Sequence, residues 1–82
     1  MSSRKEIVKF EGVVVGFESP SGYSGPALYV QGSIDDRDSS FYLLVSEDIY
    51  KEYLVKGVGQ LISGRGRIVS EEPLVLEMLG EG

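Results

Sequence analysis

The stretch that decides the fold is Ser46-Glu-Asp-Ile-Tyr-Lys-Glu-Tyr-Leu-Val-Lys-Gly57. Its apolar residues, Ile49, Tyr50, Tyr53 and Leu54, fall at helical spacing and so gather on one face. Ser46 is suited to cap the first turn, and Glu47 and Asp48 complement the positive end of the helix dipole. Glu47–Lys51 and Glu52–Lys56 are i,i+4 pairs in the favoured order, and Gly57 can close the last turn. The pattern predicts one short helix over Glu47–Lys56, with Tyr50 and Tyr53 packed against whatever lies beneath.

Everything on either side of it reads as strand. Ile7 to Phe17 is a run of Val and aromatics broken by Gly12 and Gly16, with Val8, Phe10, Gly12 and Val14 sharing a face. A glycine at position 12 lets such a strand coil sharply and approach a neighbouring backbone. Ser19-Pro-Ser-Gly-Tyr-Ser-Gly-Pro26 is a loop. The second strand then sets Leu28, Val30 and Ile34 inward and Tyr29, Gln31 and Ser33 outward. Asp35 to Ser40 is expected to be a polar hairpin turn, and Phe41 to Val45 the third strand, with Phe41, Leu43 and Val45 inward. Beyond the helix, Gln60 to Val69 places Ile62, Gly64, Gly66 and Ile68 on one face. Ser70 to Pro73 reads as a turn and Leu74 to Leu79 as the last strand.

Composition bounds the chemistry. The 82 residues contain no His and no Cys, so neither a disulfide framework nor a usual structural zinc site can form. Nucleophilic Ser–His and Cys–His pairs are excluded for want of the base. Leu, Ile, Val and Phe make up about a third of the chain, well above the ~20% below which disorder is expected. One folded domain over 1–82 is therefore predicted, with 1–6 and 80–82 as flexible ends. The first six residues have no apolar run behind their charges, as a signal peptide would. No stretch approaches the ~18 apolar residues of a membrane span. A soluble cytoplasmic domain is the expectation, with no membrane partner, metal or cofactor.

The element order β-β-β-α-β-β implies an all-β fold with one short helix, a five-stranded Greek-key barrel. At this point the chain resembles the OB-fold nucleic-acid-binding domains. Val8-Lys-Phe10-Glu-Gly12-Val-Val14 is similar to their first strand, in which alternating apolar residues lead to a mid-strand glycine. The run from Val58 to Ile68 is similar to their fourth-strand entry, a glycine turn followed by an apolar strand and a second glycine. The type is that of anticodon-binding domains and of single-strand-binding proteins such as replication protein A. An SH3-like barrel has no natural place for the Glu47–Lys56 helix.

That resemblance implies a binding face on the outside of the second and third strands, flanked by the first-to-second and fourth-to-fifth strand loops. On this sequence it would comprise Tyr29, Gln31, Tyr42 and Leu44, with Tyr23 in the adjoining loop and Phe17 nearby. Flat rings there suit stacking on unpaired bases. Phe17 fits the core better than the site. Charge is unevenly spread: segments 1–10 and 56–69 carry +2 and +3, whereas 35–55 and 70–82 each carry −4. The first and fourth strands are neighbours in such a barrel, so Lys9, Arg65 and Arg67 are candidates for one phosphate-holding patch. The alternative for these cations is a solvated ladder with Glu11 and other carboxylates.

Other motifs carry less. Asp35-Asp36-Arg37-Asp38 lacks the glycine and distal Glu of a calcium loop, and Glu71-Glu72 has no environment to separate two carboxyl pKa values. No glycine segment ends in Gly-Lys-Ser/Thr. Two functions of different class follow for a protein that is not an enzyme. One is a binder of single-stranded DNA or RNA through stacking and a few phosphate contacts. The other is a protein-interaction or homo-oligomerising module, a small subunit of a larger complex, motivated by net acidity and by apolar residues at the outward positions Val13, Val15, Tyr29, Tyr42 and Leu44.

Overall fold

The structure, a computed structural model, describes residues 7–79. The ends expected to be flexible, residues 1–6 and 80–82, lie outside the described residues. The elements are β1 (Ile7–Gly16), β2 (Ala27–Ile34), β3 (Arg37–Leu44), α1 (Glu47–Lys56), β4 (Leu61–Glu71) and β5 (Leu74–Met78). The strands close into a barrel in the order β1-β2-β3-β5-β4. Only β3 and β5 run parallel; every other neighbouring pair is antiparallel. This order, with a helix between the third and fourth strands, is the OB-fold architecture that the element pattern predicts. Among the described residues, no helix is long and apolar enough to cross a membrane.

The core forms from alternate positions on each strand, as the two-residue period of a strand requires. Val8, Phe10 and Val14 of β1 meet Leu28 and Val30 of β2, Phe41 and Leu43 of β3, Ile62 of β4 and Leu76 of β5. Phe10 and Phe41 meet edge to face, centroids 5.8 Å apart at 69°. Such a pair contributes ~0.5–1.5 kcal/mol beyond its buried area. Helix α1 forms over the predicted residues: the Ile49 N–H donates to Ser46 Oγ at 3.3 Å, and the Gly57 N–H donates to Tyr53 O at 2.8 Å. Tyr50 and Tyr53 pack against the core cluster, and Phe17 joins them by meeting the Tyr50 ring edge-on at 6.1 Å. Of the two expected helix ion pairs, only Glu52–Lys56 closes, at 3.2 Å. Leu54, expected on the packed face, is 46% exposed.

The boundaries of the strands need correction. The hairpin between β2 and β3 does not extend from Asp35 to Ser40; β3 begins at Arg37, and Asp35 and Asp36 alone make the turn. Both have positive φ, 48° and 72°, as a two-residue type I′ turn demands, and Asp tolerates that region better than most residues. Asp35 also ties the turn to β1. Its N–H donates to Lys9 O at 2.8 Å, and its carboxylate accepts from the Lys9 N–H at 3.0 Å. Strand β1 stops at Gly16 rather than Phe17, and β4 starts at Leu61 and runs on to Glu71. The β4–β5 turn is therefore Glu72-Pro73, closed by Ser70 Oγ donating to Pro73 O at 2.8 Å.

Gly12 and Gly32 face each other directly across β1 and β2. A Cβ at Gly12 would stand 2.6 Å from Gln31 O, and one at Gly32 would overlap Glu11 O and the Gly12 Cα. The two backbones approach closer than any side chain permits, and a strand free of side chains there can coil while it pairs with β2 on one edge and β4 on the other. Gly32→Ala should therefore cost at least ~3 kcal/mol in urea unfolding, the scale of a steric clash with backbone that must move. Gly25→Ala, whose added Cβ meets nothing within 4 Å, should change stability by less than ~0.5 kcal/mol.

Candidate nucleic-acid interface

Tyr29 and Tyr42 are directly opposite each other on β2 and β3, on the outside of the barrel. Their rings lie 4.9 Å apart, tilted at 54°, and both side chains are half-buried. A pair of this kind holds each ring in place, so that a base stacking on it orders little further. One step along the outer face, Gln31 is exposed opposite Ser40, with Val13 of β1 on its other side. Its amide carries both donors and an acceptor for a base edge. Leu44 continues the strip beyond Tyr42 as a half-buried residue.

Tyr23 lies in the Phe17–Pro26 connection, half-buried, its N–H donating to Pro20 O at 3.1 Å. The loop is closed by Ser19 Oγ donating to Gly25 O at 2.9 Å. The Tyr23 ring pairs with neither Tyr29 nor Tyr42. Phe17 belongs to the core, where Tyr50 meets it.

The three cations divide. Lys9 and Arg65 are directly opposite on β1 and β4, both exposed. Among the described residues neither side-chain cation forms an ion pair, although the Asp35 carboxylate accepts from the Lys9 backbone N–H. Arg67, opposite Ile7, is drawn instead to Glu77 of β5, at 3.5 Å. Arg67 is thus part of a solvated ladder, though with Glu77 rather than Glu11. A broad open groove of about 1000 Å³ runs beside Lys9 and Arg65. Glu11, Asp35, Asp36 and Glu52 also line it, so it is acidic on balance and its phosphate-attracting part is confined to the two cations.

Aromatic and basic parts are brought to one outer surface but not to one spot. Gly16, the β1 partner of Tyr29, is seven residues from Lys9, on the order of 20 Å of strand at ~3.3 Å per residue. OB folds take up ~4–16 nucleotides, so a single strand can span that interval.

Some outward residues escape the sequence reading. Leu61, opposite Val13, is 77% exposed, and Val58 and Val55 are 59% and 88% exposed. The signal was present: the inward assignment of Ile62 already turns Leu61 out.

Like charges directly across a strand pair destabilise it by ~0.2–1 kcal/mol. In low-salt urea unfolding, Lys9→Gln or Arg65→Gln alone should stabilise the fold by a few tenths of a kcal/mol, and the second substitution should add nothing. Arg67→Gln should instead cost up to ~0.5 kcal/mol.

Comparison of the chain with family models, with curated proteins and with solved structures finds no match.

Proposed function

We propose that this barrel is a non-catalytic binder of single-stranded nucleic acid. Unpaired bases stack on Tyr29 and Tyr42, Gln31 bonds a base edge, and Lys9 and Arg65 hold phosphates farther along the strand. The observation that carries the reading is the Tyr29–Tyr42 pair, fixed across β2 and β3 on the outside of the barrel. The exposed cations opposite each other on β1 and β4, neither of them in an ion pair among the described residues, support it, because bound phosphate would relieve their mutual repulsion. Arg67 has no part in binding while Glu77 holds it. Tyr23 is at most a lateral contact from the loop.

Few phosphates are engaged, so the salt dependence is shallow: about −0.7 in log K per log salt for each phosphate on a single strand. The test is fluorescence anisotropy with labelled oligo-dT and oligo-rU at low salt. Binding in the micromolar range is expected. Tyr29→Ala with Tyr42→Ala should weaken it at least tenfold, since stacking contributes ~1–3 kcal/mol per base. Lys9→Gln with Arg65→Gln should reduce the salt slope by ~1.4. Binding that survives the double Tyr substitution unchanged, or no binding at high micromolar protein, rejects the proposal.

A further inference from the structure

Outward side chains cross the barrel in rows between the tyrosine pair and the cations. Gln31, Val13 and Leu61 form one row over β2, β1 and β4, and Ser33, Glu11 and Ser63 form the next. Lys9 and Arg65 follow in the row after that. Successive rows lie ~6.6 Å apart, two residues of strand, and neighbours within a row ~4.8 Å apart. Glu11 is exposed, and alternation with the buried Phe10 turns it outward. Its carboxylate therefore stands on the path of any strand that reaches from Tyr29 and Tyr42 to Lys9 and Arg65.

A carboxylate at that point repels every phosphate that passes it, so it works against a plain phosphate track. Facing a base it acts differently, because an ionised carboxylate is a pure hydrogen-bond acceptor. Its capacity is unspent: among the described residues Glu11 is in no ion pair and no side-chain hydrogen bond. Two other carboxylates lining the same groove are engaged, Glu52 by Lys56 and Asp35 by the Lys9 N–H.

We propose that Glu11 selects guanine at the nucleotide lying between the stacked bases and the phosphate held by the cations. The inference rests on the nucleic-acid reading and names the base that the same surface prefers. Guanine alone presents two adjacent donors, N1–H and the N2 amino group, which a carboxylate accepts bidentately, as it does an arginine fork. Adenine and cytosine set one amino donor beside a ring-nitrogen acceptor. Thymine and uracil set one N–H between two carbonyl oxygens, which the carboxylate repels. The groove lined by Glu11, Ser63, Lys9 and Arg65 has a volume of about 1000 Å³. That is the upper end of the ~300–1,000 Å³ usual for a ligand site. A base can therefore turn its edge to Glu11 while its phosphate rests on Lys9 and Arg65.

Competition anisotropy tests it, with an oligo-dT of about ten nucleotides carrying a single guanine at each position in turn. Guanine at an interior position should tighten binding at least ~fivefold over the all-thymine strand, the lower end of what a bidentate base contact supplies. Hypoxanthine there, which lacks the N2 amino group, should lose most of the gain. Glu11→Gln should abolish the guanine preference while binding of oligo-dT is kept or strengthened. Asp36→Asn removes another carboxylate lining the groove, at a positive-φ position that Asn tolerates. It should strengthen all strands alike and leave the preference intact. A scan without a guanine gain, or a gain that survives Glu11→Gln, overturns the inference and leaves the stacking reading standing. Failure of every strand to bind overturns both.

Discussion

The contact on which the barrel depends is the glycine-to-glycine crossing of β1 and β2. Gly12 and Gly32 bring two backbones together where any Cβ would collide with a carbonyl or an α-carbon. Because β1 can coil there, residues 7–13 pair with β4 while residues 10–16 pair with β2, the two ladders overlapping about the crossing. A flat β1 would leave β4 without its partner and the barrel open. The core follows from that closure: Phe10 on one side of Gly12 and Val14 on the other both point inward, onto residues from all five strands.

The same crossing arranges the outer surface. Toward the end of β1, the outward residues are Val13 and Val15; Val13 is level with Leu61 on one side and Gln31 on the other, and Gly16 just beyond is level with Tyr29 of the tyrosine pair. Toward its start lie Lys9 and Glu11, level with Arg65 and Ser63. One half of the outer face is apolar and aromatic, the other charged. In the proposed binding mode, stacking and phosphate contact would fall to different halves, about 20 Å apart along β1. The net acidity of the chain comes from turns, helix and tail, and it leaves the Lys9–Arg65 couple as a local exception rather than part of a basic field.

Much of this was legible in the sequence because it rests on local rules. The helix over Glu47–Lys56 was marked by spacing, a Ser cap and a closing glycine, and all three act where expected. The inward faces of the strands followed from alternation. The hairpin at Asp35-Asp36 is shorter than expected because a run of six polar residues looks like a turn, whereas the ladder continues under Arg37 to Ser40, of which Arg37, Asp38 and Ser40 are exposed. Propensity cannot tell a polar edge segment from a loop when only backbone pairing decides. The partner of Arg67 is not legible either: strand neighbours place it beside β5 as readily as β1, and its guanidinium stands 3.5 Å from Glu77 of β5. The exposure of Leu54 depends on how α1 sits against the barrel, which helical spacing alone does not specify.

The central claim is that the face of β2 and β3 receives unpaired bases. The most direct measurement is an amide-resolved NMR titration of the protein with a short oligo-dT. The amides of Tyr29 to Gln31 and Ser40 to Tyr42 are expected to shift first and furthest, with Lys9 and Ser63 to Arg65 following as the strand extends toward the cations. Shifts confined to Val55 to Leu61, or none beyond those that added salt alone produces, would contradict it.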